Sequence, residues 1–311
     1  MVDVVGVGLN AADTLLPVPL FPTSGAKVVI PSANVLLGGQ VATAMAACQL
    51  WGLRTRYVGK LGDDHAAELH RAEFARLGIE AHIATATNCT SPQSFILVEP
   101  TGERTVLLKR DARLTLLLAE LQRAWIVNAR ILHLDGHDTA AAIQAAGWAR
   151  AAKIPVVADL DDLYPGYESL LPNIDYLIVS RDIPTRLTSN PNLKISLPQI
   201  AKRFGAKVVA ATLGQEGVLA WQAEQFHYAP AFKVPTIDTT GAGDIFHAAF
   251  IYSLHQSWPI DRQLDFACAA AALNCTAVGA RGGIQPVAAI ESLIATGHRR
   301  AAFSPPANSG N

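Results

Sequence analysis

The stretch of this 311-residue sequence richest in chemistry is Asp238-Thr239-Thr240-Gly241-Ala242-Gly243-Asp244, followed by an apolar run to Gln256. A Pro-bounded extended segment precedes it, and the Ala-, Phe- and Ile-rich run after it predicts a helix. Gly241, Ala242 and Gly243 have little or no side chain, so their backbone N–H groups can approach a ligand closely. At a helix N-terminus those donors and the dipole favour an anion. Asp244 falls in the first helical turn, beside that anion site. Charge stabilisation next to a proton acceptor is what phosphoryl transfer to an alcohol requires. A Gly-rich helix start with an Asp placed only for capping has the same local pattern. The flanking Asp238-Thr239-Thr240 and the strand–loop–helix setting favour the chemical reading.

Other signals carry less. Gly6-Val7-Gly8-Leu9-Asn10-Ala11 fits a relaxed dinucleotide fingerprint, but Pro17, Pro19 and Pro22 rule out the long helix it needs. No G-x-x-x-x-G-K-[ST] and no H-E-x-x-H occurs. His133 and His137 flank Asp135 at a strand end and read as structural. Asp159, Asp161 and Asp162 read as a solvated loop at the rim of the site rather than as metal ligands. The cysteines, Cys48, Cys89, Cys268 and Cys275, form no C-x-x-C pair and are expected as buried free thiols.

The elements that must position the motif alternate. Ile131–Leu134 precedes an Ala-rich helix around Thr139–Lys153, and Pro155–Asp159, Asp175–Ser180 and Lys207–Thr212 continue the series of apolar strands. Strands apolar on both faces, joined by helices, predict an α/β fold with a mainly parallel sheet covered on both sides. Ligands of such sheets sit beyond the carboxyl ends of the strands. Two early stretches break the rhythm: Thr14–Pro22 with Lys27–Pro31, and Ser94–Glu99 with Thr105–Leu108 around the turn Pro100-Thr101-Gly102-Glu103. Both stretches, Thr14–Pro31 and Ser94–Leu108, are expected in one small sheet apart from the main one, suited to act as a lid. The tail from Ala301 is expected to be disordered.

Composition narrows the partners. Half the residues are hydrophobic, 16% are charged and the net charge is −1, so nucleic acid and anionic membrane surfaces are not expected partners. The first Lys or Arg is Lys27, and no apolar run reaches the ~18 residues needed to span a bilayer. A cytoplasmic protein without a signal peptide is expected.

The D-T-T-G-A-G-D segment and its apolar helix resemble the signature of the ribokinase-like family of PfkB carbohydrate kinases. Gly38-Gly39 with its Ala-rich helix, then Gly59-Lys60-Leu61-Gly62-Asp63-Asp64, resembles that family's N-terminal signature. Thr212-Leu213-Gly214 with Gly217 resembles its nucleotide loop, and Val278-Gly279-Ala280 its C-terminal turn. The motifs stand in family order from Gly8 to about Ile284. The resemblance implies one ribokinase-like three-layer kinase domain over residues 1–300, with lid segments near 12–37 and 89–111. It implies Asp244 as catalytic base, with the backbone of Gly241, Ala242 and Gly243 as anion hole. Asp13, Gly38, Gly39, Thr43 and Asp135 would face the sugar. Thr212, Gly214 and Gly217 would line the ATP site, with Cys268 near the adenine. Asp238, Thr240, Ala277 and Gly279 match where some members hold a monovalent cation such as K⁺. ATP and Mg²⁺ are the implied cosubstrate and metal, a sugar the acceptor, and homodimerisation through the β lid the implied assembly.

Three departures stand out. Thr43 occupies a position where the family often has Asn, and Ala67 one where it often has Gly. After Asp175–Val179 the family usually carries Asn and, three residues on, Glu, associated with phosphate and Mg²⁺ water contacts. Here the residues are Ser180-Arg181-Asp182-Ile183, with Asp182 as the available substitute. The expected activity is ATP-dependent phosphorylation of a sugar. A nucleoside kinase of the same fold and a catalytically weak sugar- or nucleotide-binding regulator are the alternatives.

Overall fold

Runs of Val, Ile, Leu and Ala that alternate with helical stretches form the layers of an α/β structure, seen in a computed structural model that describes residues 1–101 and 103–301. The chain begins β1 (Val2–Val7), β2 (Ala11–Pro17), β3 (Asn34–Gly38), α1 (Gln40–Leu50), β4 (Thr55–Leu61), α2 (His65–Leu77) and β5 (Glu80–Thr85). It continues β6 (Gln93–Val98), β7 (Arg104–Lys109), α3 (Arg123–Val127), β8 (Ala129–Leu134), α4 (Thr139–Ala151), β9 (Val156–Leu160) and α5 (Tyr167–Leu170). Then come β10 (Tyr176–Ser180), α6 (Ile183–Thr188), α7 (Leu193–Phe204), β11 (Val208–Thr212), β12 (Val218–Gln222) and β13 (Gln225–Ala229). Three helices close the chain: α8 (Ala242–His255), α9 (Ile260–Asn274) and α10 (Val287–Thr296). The expected disordered tail beyond Ala301, and Gly102 of the hairpin turn, lie outside the described residues.

Nine strands form the main sheet in the order β13-β12-β11-β10-β9-β8-β1-β4-β5, with parallel pairing except at β11–β12 and β12–β13. Side chains alternate across each strand, so Val4, Val157 and Ile178 enter one core while Val5, Val156 and Leu177 enter the other. α1, α8 and α9 cover the first face with Met45, Phe250 and Phe266; α3, α4 and α7 cover the second with Ile126, Ala145 and Leu197. Burial of a side chain such as Phe250 stabilises by about 1.5–3 kcal/mol. Both faces are thus closed, and the carboxyl edge of the parallel strands is left for a site.

A four-stranded sheet, β3-β2-β6-β7, stands apart as the lid. β6 and β7 form the expected antiparallel hairpin, and β2 joins β6 in parallel. One expectation is corrected. Lys27–Pro31 forms no strand; the partner of β2 is Asn34–Gly38. Pro31 lacks the N–H that a ladder needs, and Val29 is 85% exposed, so this stretch gains neither pairing nor burial. The Gly62-Asp63-Asp64 segment fastens the lid. Asp64 caps α2 through Ala67 N (3.2 Å) and accepts from Ser91, while Asp63 accepts from Asn88 N (2.8 Å) and Cys89 N (3.1 Å).

Pairing registers give the lid two faces. Asp13, Ser94 and Leu108 lie side by side toward the main domain, and Val35, Thr14, Phe95 and Leu107 lie side by side on the other face. Among the described residues, no helix is long and apolar enough to cross a membrane.

Candidate active site

The two signature glycine turns meet under the lid. Gly39 starts α1 at φ 89°, and a Cβ there would lie 2.3 Å from Asn10 Cα. Gly241 starts α8 at φ 74°, and a Cβ there would lie 2.5 Å from the Ala280 carbonyl oxygen. Both positions require a left-handed backbone packed against another segment, which only glycine supplies without strain. Ala242 N donates to Thr239 O (3.2 Å), and Ile245 N to Gly241 O (2.9 Å). The amides of Gly241, Gly243 and Asp244 make no hydrogen bond among the described residues. These unpaired first-turn donors, with the α8 dipole, can receive an anion, whereas the Ala242 amide is engaged.

A cavity of about 290 Å³ opens between this turn and the lid. Asp244, Gly241, Gly243 and Thr240 line it from α8 and its loop; Asp13 and Gly39 line it from the other side. Thr212 and Ser180 mark its end over β11 and β10, while Ile96, Val106 and Leu108 roof it from the lid. The first turn of α8 therefore lies between one end of the cavity at β2 and α1 and a strand-end shelf at β10 and β11.

The loop behind the anion hole is tied by buried polar groups. Asp238 accepts from Thr240 N (2.8 Å) and from Gly279 N (2.7 Å). Asn274, fully buried, donates to Thr240 O (3.1 Å) and Ala280 O (3.2 Å) and accepts from Gly283 N (3.2 Å). Among the described residues, the buried Thr240 hydroxyl has no hydrogen-bond partner. Asp238, Thr240 and Gly279 are thus brought together, in a region that includes Ala277.

Other expected residues stand behind the wall. Thr43 is buried and accepts at Oγ1 from Arg281 Nε (3.2 Å). Asp135 is fully buried, accepting from Leu9 N (2.6 Å) and His137 N (3.1 Å). Gly38 packs so tightly that a Cβ would meet the Asp13 carboxylate. Gly214 and Gly217 form the tight turn between β11 and β12, with Leu213 N donating to Gly217 O (2.7 Å). Cys268 is buried on α9 with Sγ 3.7 Å from Ala229 O, outside the cavity lining. Asp182, the available substitute, is instead exposed and paired with Arg186 at 3.4 Å, away from the cavity.

The acidic group after β9 is only in part the solvated loop expected of it. Asp162 is exposed and pairs with Arg186, but Asp159 is 6% exposed, and both Asp159 and Asp161 line the cavity. A hydrogen-bonded wall joins them: Tyr164 donates to Asp161 (2.9 Å) and contacts His137 Nε2 (2.9 Å), which contacts Gln40 Oε1 (2.8 Å). Gln40 bonds Asp159, whose other neighbour is His247 Nδ1 at 3.2 Å. Burial holds His247 at about 4, so it stays neutral near pH 7. Among the described residues neither Asp159 nor Asp161 pairs with a Lys or Arg. Oxygen ligands without a cationic partner fit a hard divalent cation such as Mg²⁺.

Two arginines at the cavity carry no local sequence signal. Arg104 on β7 reaches across to the Thr239 carbonyl and lines the cavity above the anion hole. Arg281 is buried below, donating to Thr43 and to Gly38 O (2.9 Å) and pairing with Glu73. Burial pushes Asp244 up to about 7; Asp13 and Asp161 add to the rise, while Arg104 and Arg281 oppose it. Burial likewise raises Asp13 to about 6, and raises Asp159 well above the usual range with help from Asp244 and Asp161. A carboxyl poised near neutrality suits a proton acceptor at physiological pH.

The description pfkB family carbohydrate kinase matches residues 3–287. The ribokinase of Haemophilus influenzae is 25% identical over 289 residues, covering 89% of this chain and 94% of its own. The acarbose 7(IV)-phosphotransferase of an Actinoplanes species is 29% identical over 291 residues, covering 90% and 94%. The ribokinase structure from Giardia lamblia superposes with a TM-score of 0.85 at 19% identity, covering 94% of this chain and 98% of that one, a likeness of fold.

The electrostatics of Asp244 predict its titration. In protein labelled with ¹³C at Asp carboxyls, the signal lost in Asp244→Asn should titrate near pH 7. In Arg104→Gln that midpoint should move up, because a cation that favours the charged form is gone. A midpoint below pH 5, or one that Arg104→Gln lowers, contradicts the assigned surroundings.

Proposed function

We propose, for a chain that belongs to the pfkB family of carbohydrate kinases and is thereby a phosphotransferase with an alcohol group as acceptor, that Asp244 is the base of an ATP-dependent sugar kinase. The observation that carries this is the single helical turn in which the unpaired amides of Gly241, Gly243 and Asp244 adjoin the Asp244 carboxyl. The relatives named ribokinase and acarbose 7(IV)-phosphotransferase support a sugar hydroxyl, here a primary one, as acceptor.

The acceptor lies against Asp13, Gly38 and Gly39, with Thr43 and Asp135 holding that wall from behind. Thr212, Gly214 and Gly217 receive the nucleotide, and Cys268 backs its base. As the acceptor oxygen bonds to the γ-phosphorus, its proton passes to Asp244 and the bond from phosphorus to the ADP oxygen breaks. The first-turn amides of α8 and the Arg104 guanidinium stabilise the charge on the transferring group. Bound with ATP, Mg²⁺ supplies neutralisation of the phosphate charge, and Asp159, Asp161 and Ser180 would hold it.

Three measurements follow. Asp244→Asn keeps the shape and capping capacity but removes the proton acceptor. Its kcat should fall by ~10²–10⁴-fold, with ATP affinity little changed. Turnover within about threefold of wild type, roughly 0.7 kcal/mol of barrier, means that Asp244 is not the base.

The second concerns K⁺, placed at Asp238, Thr240, Ala277 and Gly279. A monovalent ion there would order the anion-hole loop, so turnover should be higher in KCl than in NaCl at matched ionic strength. Equal rates in the two salts rule the site out.

The third concerns assembly. Val35, Phe95 and Leu107 are 59, 37 and 57% exposed on the outer lid face, an apolar row that suits a homodimer. Sedimentation should show a dimer that Leu107→Glu converts to monomer, and a monomeric wild type would count against it.

A further inference from the structure

Every guanidinium near the acceptor end of the cavity is already engaged. Arg281 is 9% exposed and holds Thr43, Gly38 O and Glu73 with its three nitrogens. Arg110 bonds Asp138 (2.5 Å), Leu114 O (3.3 Å) and His137 O (3.5 Å), and it does not line the cavity. Arg104, the one arginine in the lining, is drawn to the Thr239 carbonyl at the anion hole, where its charge serves the transferring phosphoryl. No lysine lines the cavity among the described residues.

The groups that do face the acceptor are acidic or neutral. Asp13, Asp159 and Asp161 line the cavity with Asp244, and Gln40, Ser94, His137 and Tyr164 fill the spaces between them. The start of α1 is the remaining place for an anion. There, however, the Asp13 carboxylate packs against Gly38, so close that a Cβ would touch it, and already supplies the negative charge that the helix end favours. Among the described residues, an anionic acceptor would enter among carboxylates, next to the phosphates of ATP, with Arg104 at the α8 turn as the one guanidinium in the lining. Recognition of phosphate and carboxylate groups normally rests on such forks or point charges.

We infer that the acceptor is a sugar without an anionic substituent, an uncharged or cationic polyol rather than a sugar phosphate, sugar acid or sulfonate. Hydroxyl donors and acceptors along Gln40, Ser94, His137 and Tyr164 suit a polyol, and Ile96, Val106 and Leu108 present an apolar roof to the less polar face of its ring. The inference rests on the sugar-kinase reading but is separable from it.

The test compares matched pairs by ADP release and thermal shift: fructose with fructose 1-phosphate, ribose with ribose 1-phosphate, and glucose with gluconate. Glucosamine and adenosine complete the panel. For any pair in which either member is turned over, the neutral sugar should have at least about tenfold higher kcat/KM, and it should give the larger thermal shift. Asp161→Asn should narrow that ratio. An anionic member turned over as well as or better than its neutral partner, or stabilising the protein more, overturns the inference. Turnover confined to adenosine would sink the sugar reading while supporting an uncharged acceptor. Turnover confined to glucosamine supports both.

Discussion

A half-buried carboxyl facing the cavity beside unpaired helix-start amides is the constraint on which the rest of this structure depends. The amides and dipole of α8 favour negative charge in its first turn, whereas burial and the carboxyls of Asp13 and Asp161 oppose it at Asp244. The opposing effects leave Asp244 near neutrality, ionised often enough to accept a proton and basic enough to hold it. A more exposed carboxylate would be a weaker base, and one without Arg104 and Arg281 nearby would be protonated too much of the time.

Holding such a group in place requires a rigid surround, and the surround is polar as well as apolar. Asp238 and Asn274 fix the 238–241 and 279–283 loops by five hydrogen bonds to backbone groups. Leaving buried backbone groups like these unpaired costs about 1–3 kcal/mol each, so the loop conformation is strongly determined. Arg281 extends the same frame to the acceptor side through Gly38 and Thr43, and the Asp63–Asp64 cap anchors the lid that carries Arg104. The two sides of the cavity are thus referred to one scaffold.

The main sheet and the glycine turn that opens α8 were legible because they rest on local pattern: apolar runs with the strand period, and glycines ahead of a helix. The lid hairpin was legible for the same reason. Its partner strand was misplaced because Lys27–Pro31 has strand-like residues but too many neighbouring prolines, while Asn34–Gly38 becomes a strand only by pairing with β2. Arg104 and Arg281 escaped notice because their partners lie 135 and 238 residues away in sequence. No local period marks such contacts. Asp159 has the local pattern of a loop residue, and its burial comes from α8 packing over β9, a tertiary effect. Thr43 follows the same logic. The hydroxyl makes sense once Arg281 is seen to reach it.

If one turn of α8 holds both the phosphoryl group and the proton acceptor, a crystal structure of the protein trapped with ADP, Mg²⁺, aluminium fluoride and an accepted sugar should show it. Fluoride ligands are expected on the amides of Gly241, Gly243 and Asp244, with the acceptor oxygen about 2.6–3.2 Å from an Asp244 carboxyl oxygen. An acceptor oxygen held instead by Asp13 or Asp161, out of hydrogen-bond reach of Asp244, would contradict it.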